Sequence, residues 1–425
     1  MIEQIETKPS SCTNVTKFFQ LFILSYLFFY MFPYPVYNIP IIGELGDYYD
    51  KGWDFLTRWF GQKVMGLETL EKIEMTGSGD TTFDYVKLLS TAVFSLLISS
   101  VIFVFTFRRS SYDKLLNFVT TYGRYYVGLY LIDYGFLKLH GGQFPFPSIS
   151  RMEQTYGNSS PMGLLWTFMG YSKPYSMFTG LGEILGGTLL LFRRTSVIGS
   201  LITFIIMANV ALMNFAYDVP VKLFSAHLAV ISFFIFYPNL IHLFNFFILN
   251  KTTQIKVAPL HFSNKRVRLV RIVLKSLIVI GIPALAIIQE VSYSAEGPNH
   301  DLNGTYLTQQ FHTSLDSVPS RIADSTRWAK MLIENNRSRI VLVNTKSLNF
   351  KAAIDTSKKI IALSLYNDTA TTYHLSYRQL SDTTFFVTGK FKSDSIFISF
   401  KRKQLKDYPL VNRGFHWINE YPYNR

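Results

Sequence analysis

The chain has 425 residues, a formal charge of +14 at neutral pH and 48% hydrophobic residues, and its apolar residues concentrate in long blocks before Glu290. Several blocks approach the roughly 20 residues needed to cross a hydrocarbon layer, more than a soluble core helix uses, which excludes a purely soluble fold. One cysteine, Cys12, excludes an intramolecular disulfide, a zinc–cysteine cluster and a dithiol redox pair.

A cytoplasmic tail, residues 1–17, precedes the first apolar block, Phe18 to Val36. That block ends in Met31-Phe32-Pro33-Tyr34 with no small-residue cleavage site, so it reads as a retained anchor. In the following segment, 37–84, Trp53, Leu56, Trp59, Phe60 and Val64 recur near helical spacing among charges, which predicts an interfacial helix that can serve as a lid. Gly77-Ser78-Gly79-Asp80 lacks the lysine and the strand-to-helix frame of a phosphate loop and reads as a turn. Six further spans follow: Tyr85 to Phe107, Leu115 to Lys138, Tyr175 to Phe192, Thr195 to Tyr217, Val221 to Phe247 and Val270 to Ile288. The expected fold is therefore a polytopic α-helical membrane bundle of about seven spans, residues 85–288 plus the first anchor.

The basic residues give the bundle a direction. Arg108, Arg109 and Lys114, then Arg193 and Arg194, then Lys265, Arg266, Arg268 and Arg271 within 251–275, follow spans two, four and six. Cytoplasmic loops carry such an excess. The N-terminus is then cytoplasmic, and segments 37–84, 139–174 and 289–425 lie outside a bacterial plasma membrane, the last as a periplasmic or extracellular domain. Charge clustered beside apolar blocks, with no recognised binding module, argues against a nucleic-acid partner. Membrane lipids and an envelope protein are the expected partners.

Past residue 289 the period changes to two. Tyr373, Leu375 and Tyr377 alternate with His374, Ser376 and Arg378, and Ile396, Ile398 and Phe400 repeat the pattern after a turn at Lys392-Ser393-Asp394. Similar runs at Gly304 to Phe311, Arg339 to Asn344 and Ile360 to Leu365 predict an antiparallel meander forming a lipocalin-like barrel or half-barrel. The final Phe415 to Arg425 is aromatic enough to predict docking on its own domain, the membrane or a partner.

Ionisable groups inside spans are costly, so the few present are the candidate functional residues. Asp133, Asn209, Asn214 and His227 share the outer half of the bundle, with Asp218 and Lys222 in the adjoining turn, and together predict an outer polar pocket. A carboxylate and an imidazole there can move protons or hydrogen-bond a quinone carbonyl; packing between helices is the alternative use of the same groups. Arg124 and Glu183, each about nine residues from the inner end of its span, predict an intramembrane ion pair. Gly182 and Gly186 provide a small-xxx-small face for close helix packing. No pair of histidines or carboxylates has metal-ligand spacing, and no metal is expected.

Tyr134-Gly135-Phe136-Leu137-Lys138, then Gly182-Glu183-Ile184-Leu185-Gly186-Gly187, the Arg193-Arg194 stop, Asn209 and Tyr217-Asp218-Val219-Pro220-Val221-Lys222 occur in this order. This stretch, about 115–248, resembles the core of DoxX-like membrane proteins. The resemblance implies a four-helix core, here elaborated by three further spans and an outer domain. Some such proteins take part in quinone-linked oxidoreduction, and others have no assigned activity. An auxiliary envelope protein, or alternatively a component of a quinone-linked oxidoreductase, is the functional expectation.

Overall fold

The structure is a computed structural model that describes residues 13–38, 43–72, 78–109, 111–254, 265–281, 284, 288, 302–313, 326–366 and 371–422. Most of the N-terminal tail, and the seventh predicted span beyond Gly281 apart from two positions, lie outside them. The chain divides into two compact units, one of residues 1–145 and 168–291 and the other of 146–167 and 292–425.

The first unit is helical. Its elements are α1 (Asn14–Met31), α2 (Glu44–Lys63), α3 (Thr82–Thr106) and α4 (Asp113–His140). A short α5 (Ile149–Met152) belongs to the second unit, and α6 (Pro161–Tyr171) runs through the division at 167/168. The first unit continues with α7 (Lys173–Leu191), α8 (Ser196–Ala216), α9 (Lys222–Phe236), α10 (Leu240–Phe247) and α11 (Lys265–Ser276). Among the described residues three segments, Thr82–Thr106, Ser196–Ala216 and the continuous run Lys222–Phe247, are long and apolar enough to cross a membrane. Helices α1, α4, α7, α8 and α9 share one core that includes Leu21, Leu24, Val127, Leu131, Leu190, Met207 and Leu228.

Local sequence sets several helix ends. Thr81 and Asp84 form a capping box at the start of α3, satisfying donors that the first turn leaves open. Gly141 ends α4 in the left-handed region at φ +82°. Asp80, from the predicted turn, accepts the Lys222 and Leu223 amides at 2.7 and 2.9 Å and so caps α9 from the far side of the sequence.

The tightest helix contact joins α4 to α7. A methyl group on Gly135 would lie 2.7 Å from the Gly180 carbonyl oxygen, and one on Gly187 would lie 2.6 Å from the Gly128 carbonyl oxygen. Gly128 and Gly135, like Gly180 and Gly187, are two helical turns apart, so each pair presents bare backbone on one face. Gly186 instead meets Thr203 of α8, and Gly182 makes only ordinary contact with Ile206. The closest approach to α4 thus uses different glycines from the predicted Gly182/Gly186 pair.

The second unit is a closed barrel of eight antiparallel strands in sequence order: β1 (Gly304–Thr313), β2 (Trp328–Glu334), β3 (Arg337–Leu342), β4 (Ser347–Asp355), β5 (Ile360–Leu365), β6 (Thr372–Gln379), β7 (Thr384–Phe391) and β8 (Asp394–Lys403). Closure by β1 against β8, from Thr305 opposite Lys403 to Thr313 opposite Ile396, selects the barrel over the half-barrel. Inward residues at period two, among them Tyr306, Trp328, Met331, Phe350, Leu363, Val387 and Phe400, fill the interior.

Residues 146–167 join this barrel through Glu153. Its carboxylate accepts the Tyr408 hydroxyl at 2.7 Å and pairs with Lys330 and Lys403, while the Ile149 amide donates to Glu334 Oε1 at 2.9 Å. Burial alone would raise the Glu153 pKa, but the hydrogen bonds from Lys330 and Tyr408 and the charges of Lys330 and Lys403 outweigh it and hold the carboxyl below its ordinary value. A depressed carboxylate stabilises the fold above its unfolded pKa of about 4.3, and that stabilisation is lost as pH falls through the lower folded value. Protection of the amides in 147–158, taken relative to the intrinsic exchange rate at each pH, is therefore expected to fall on acidification below about pH 4. Glu153→Gln should raise the neutral-pH rate by about tenfold, corresponding to 1–2 kcal/mol, and flatten the acid response. An unchanged acid response in the variant would remove Glu153 from this role. At the far end of the chain Phe415, Trp417, Ile418 and Tyr421 stand exposed, Trp417 at 91%, so of the three docking sites expected for this tail its own domain does not bury them.

Candidate functional site

Within the helical unit, tyrosines recur every fourth residue on two helices. Tyr26 and Tyr30 lie on α1, with Tyr34 in the turn that follows; Tyr122, Tyr126, Tyr130 and Tyr134 lie on α4. Side chains four apart stand one above another on a helix face, so each series forms a stripe. The stripes meet: the Tyr34 and Tyr130 rings stack at 4.4 Å, and Tyr34 and Tyr30 meet Tyr126 edge-on at 5.3 and 6.4 Å.

The space beside them is a cavity of 510 Å³. It lies where α1 and α4 end and α3 and α9 begin. Tyr30, Tyr34, Tyr37, Tyr126, Tyr130 and Tyr134 form much of its wall, and α2 contributes Tyr49, Asp50 and Trp53. Phe224 continues the wall from α9, with Asp84, Lys87, Leu88 and Thr91 from α3. Asp50 accepts the Tyr37 hydroxyl at 2.6 Å and lies 3.6 Å from Lys87 Nζ, leaving one polar side in an otherwise aromatic chamber. The predicted interfacial helix is α2; Trp53 and Phe60 turn inward whereas Trp59 and Val64 stay exposed.

Of the predicted pocket residues, His227 supports this wall from behind. Its Nδ1–H donates to the Leu223 carbonyl at 2.7 Å, leaving Nε2 to accept the Tyr26 hydroxyl at 2.7 Å, and its ring stacks on Tyr30 at 4.0 Å. Asp133 is half-buried on α4 outside the wall. Asn214 donates to Ser225 Oγ at 3.0 Å and ties α8 to α9, while Asn209 is exposed. Lys222 pairs with Asp218 at 2.9 Å and lies 3.8 Å from Asp80 at the start of α9. These six groups therefore do not line one pocket; His227 and Asn214 link helices, the packing use of intramembrane polar residues.

The predicted Arg124–Glu183 pair is also corrected. Glu183 receives Lys138 Nζ on both oxygens, at 2.7 and 2.6 Å, with Lys138 6% and Glu183 3% exposed. Arg124 instead donates from Nε to the Leu190 carbonyl at 2.9 Å, capping the C-terminal turn of α7. Matching the inner span ends had set Arg124 level with Glu183. The glycine contacts put 128 opposite 187 and 135 opposite 180, a register about eight residues or 12 Å away, which carries Arg124 past Glu183 and leaves Lys138 about six residues to its other side, within reach of the long lysine side chain. Among the described residues no group of three or more histidines, cysteines or carboxylates is arranged to hold a metal.

The chain is 35% identical over 99 residues to an uncharacterized Bacillus subtilis (strain 168) protein, YwoB, a match spanning 23% of this chain and 62% of that protein. No family model matches the chain. No solved structure matches it.

Proposed function

We propose that this chain is a DoxX-like membrane protein of about seven spans that holds a lipid-soluble, ring-bearing ligand in the tyrosine-walled cavity. The cavity itself carries the reading. Its volume suits a small amphipathic molecule, its rings can stack on a flat head group, and its hydroxyls can donate to carbonyl oxygens. Among membrane lipids a quinone head group fits that chemistry. The seven-span topology draws on three helices long and apolar enough to cross and on α1, α4 and α7, which share their buried core. With the basic clusters inside, the cavity and the β-barrel both belong to the outer side, where the barrel is available to an envelope partner. The assigned role is binding and presentation of the ligand, an auxiliary rather than a catalytic function.

Trp53 lines the cavity and supplies its own reporter. Titrating the full-length protein in nanodiscs with a short-chain quinone should give saturable quenching of tryptophan fluorescence. Trp53→Phe should remove the saturable component. Leu88→Phe, which adds bulk to the wall, should weaken the apparent affinity by about tenfold or more. Linear quenching of equal slope in all three proteins would contradict quinone binding in the cavity.

A further inference from the structure

The barrel unit carries a second, unrelated cleft. It encloses 610 Å³ and is lined by Ser148 and Ser150 from the α5 segment and by Glu334, Asn335, Asn336, Arg337, Arg339, Asn349 and Tyr366 around β2 to β5. Three cations gather on this face. Arg337 stands directly opposite Lys351 in the β3–β4 ladder, and Arg339 opposite Asn349. Like charges facing each other across a ladder destabilise it unless something of opposite sign lies between them.

Their neighbours leave the cationic edges available. Asn349 Oδ1 accepts Arg339 Nε at 3.0 Å, which fixes the guanidinium plane and leaves its outer N–H groups directed away from that bond. Lys351 Nζ sits 5.8 Å from the Tyr366 ring centre. Arg337 is exposed and makes no ion pair or side-chain hydrogen bond among the described residues. Glu334 is the opposing charge in the cleft, and its Oε1 is occupied by the Ile149 amide. Ser338, 3% exposed, also lines the cleft with no partner for its Oγ among the described residues. Residues 292–425 contain eighteen Lys and Arg against eleven Asp and Glu, so the cleft sits in a domain whose field favours anions at long range.

We propose that this cleft binds an acidic polysaccharide. The guanidinium groups would take its carboxylate or phosphate oxygens, and the asparagine amides, serine hydroxyls and Tyr366 would take the sugar hydroxyls and ring face. A walled cleft with amides and hydroxyls matches the mixed anionic and hydroxyl chemistry of such a polymer better than the flat charged surface of a membrane. The site is independent of the aromatic cavity.

The test uses the full-length protein in nanodiscs, with polygalacturonate and polyglycerol phosphate glycan as carboxylate and phosphate probes and dextran as the neutral polymer. Binding of at least one acidic probe is expected to weaken about tenfold or more in Arg337→Gln/Arg339→Gln. Lys390→Gln/Lys392→Gln, which removes two exposed cations from the β7–β8 hairpin four strands away, should change it less than twofold. Retained barrel circular dichroism in both variants excludes unfolding. Equal loss in the two variants would reduce the binding to general charge, and equal affinity for dextran would remove the anionic requirement; either result overturns the proposal. So would absence of binding to both acidic probes, or capture only by nanodiscs containing anionic phospholipid.

Discussion

Glu183→Leu and Lys138→Met, made singly, should each lower the stability of the purified protein by about 3–5 kcal/mol, because each leaves one buried charge without its partner. The double variant Lys138→Met/Glu183→Leu should recover most of that loss, since neither charge then has to be buried. Lys138 Nζ contacts both Glu183 oxygens within 2.7 Å, so the coupling belongs to this pair. Arg124→Leu removes a helix-capping hydrogen bond and should cost about 1–2 kcal/mol, adding to rather than compensating Glu183→Leu. Thermal unfolding in detergent, followed by size exclusion, reads all four. Compensation between Arg124 and Glu183, with none between Lys138 and Glu183, would reinstate the register that the glycine contacts overturn.

That register makes a second large effect. Gly135→Val places a side chain where a methyl group alone would lie 2.6 Å from Ile184 Cγ1 and 2.7 Å from the Gly180 carbonyl oxygen. The carbonyl belongs to backbone, so relief requires α4 and α7 to separate, at about 2–3 kcal/mol or more. Separation would also draw Lys138 from Glu183, so Gly135→Val and Glu183→Leu should combine to less than the sum of their separate losses. Gly182→Ala is the matched control: its added methyl would lie 3.5 Å from Ile206 Cδ1 and should change stability by less than about 0.5 kcal/mol. Equal losses in the two glycine variants would refute the close approach at Gly135.

These interactions mark where sequence reading succeeds and where it stops. Period-two alternation at 373–378 and 396–400 predicts β6 and β8, because a strand with one buried face must alternate. Ile360 to Leu365 likewise coincides with β5. Strands β4 and β7 carry the same alternation, with Phe350 and Ala352 or Phe385 and Val387 inward and Lys351 or Lys390 outward, whereas β2 buries Met331, Leu332 and Ile333 in a row, and only ladder pairing reveals it.

In the helical unit, composition makes the apolar blocks legible, but the partner of Glu183 depends on register. Register is set by glycines whose contact lies on another helix. Lys138 closes the predicted span Leu115 to Lys138, a position from which a lysine ordinarily reaches the interface, whereas it turns inward to a carboxylate. The tyrosine stripes did carry a sequence signal, the fourfold spacing of 26, 30 and 34 and of 122, 126, 130 and 134. Tyrosine suits membrane interfaces and mixed cores alike, so the spacing gains meaning only when Tyr34 stacks on Tyr130. The Glu153 anchor was hidden for a similar reason: a lone carboxylate in a loop acquires its role only from Lys330, Lys403 and Tyr408, more than 170 residues away.

The binding role of the aromatic cavity is tested most directly by what the protein retains through purification. Solvent extraction and mass spectrometry of the detergent-purified chain, prepared without added lipid, should recover up to about one equivalent per chain of a ring-bearing, lipid-soluble compound. Leu88→Phe, purified in parallel and equally folded, should retain several-fold less, while bulk phospholipid stays equal in the two. Recovery of phospholipid alone, in the same amount from both proteins, would contradict a ligand-holding cavity.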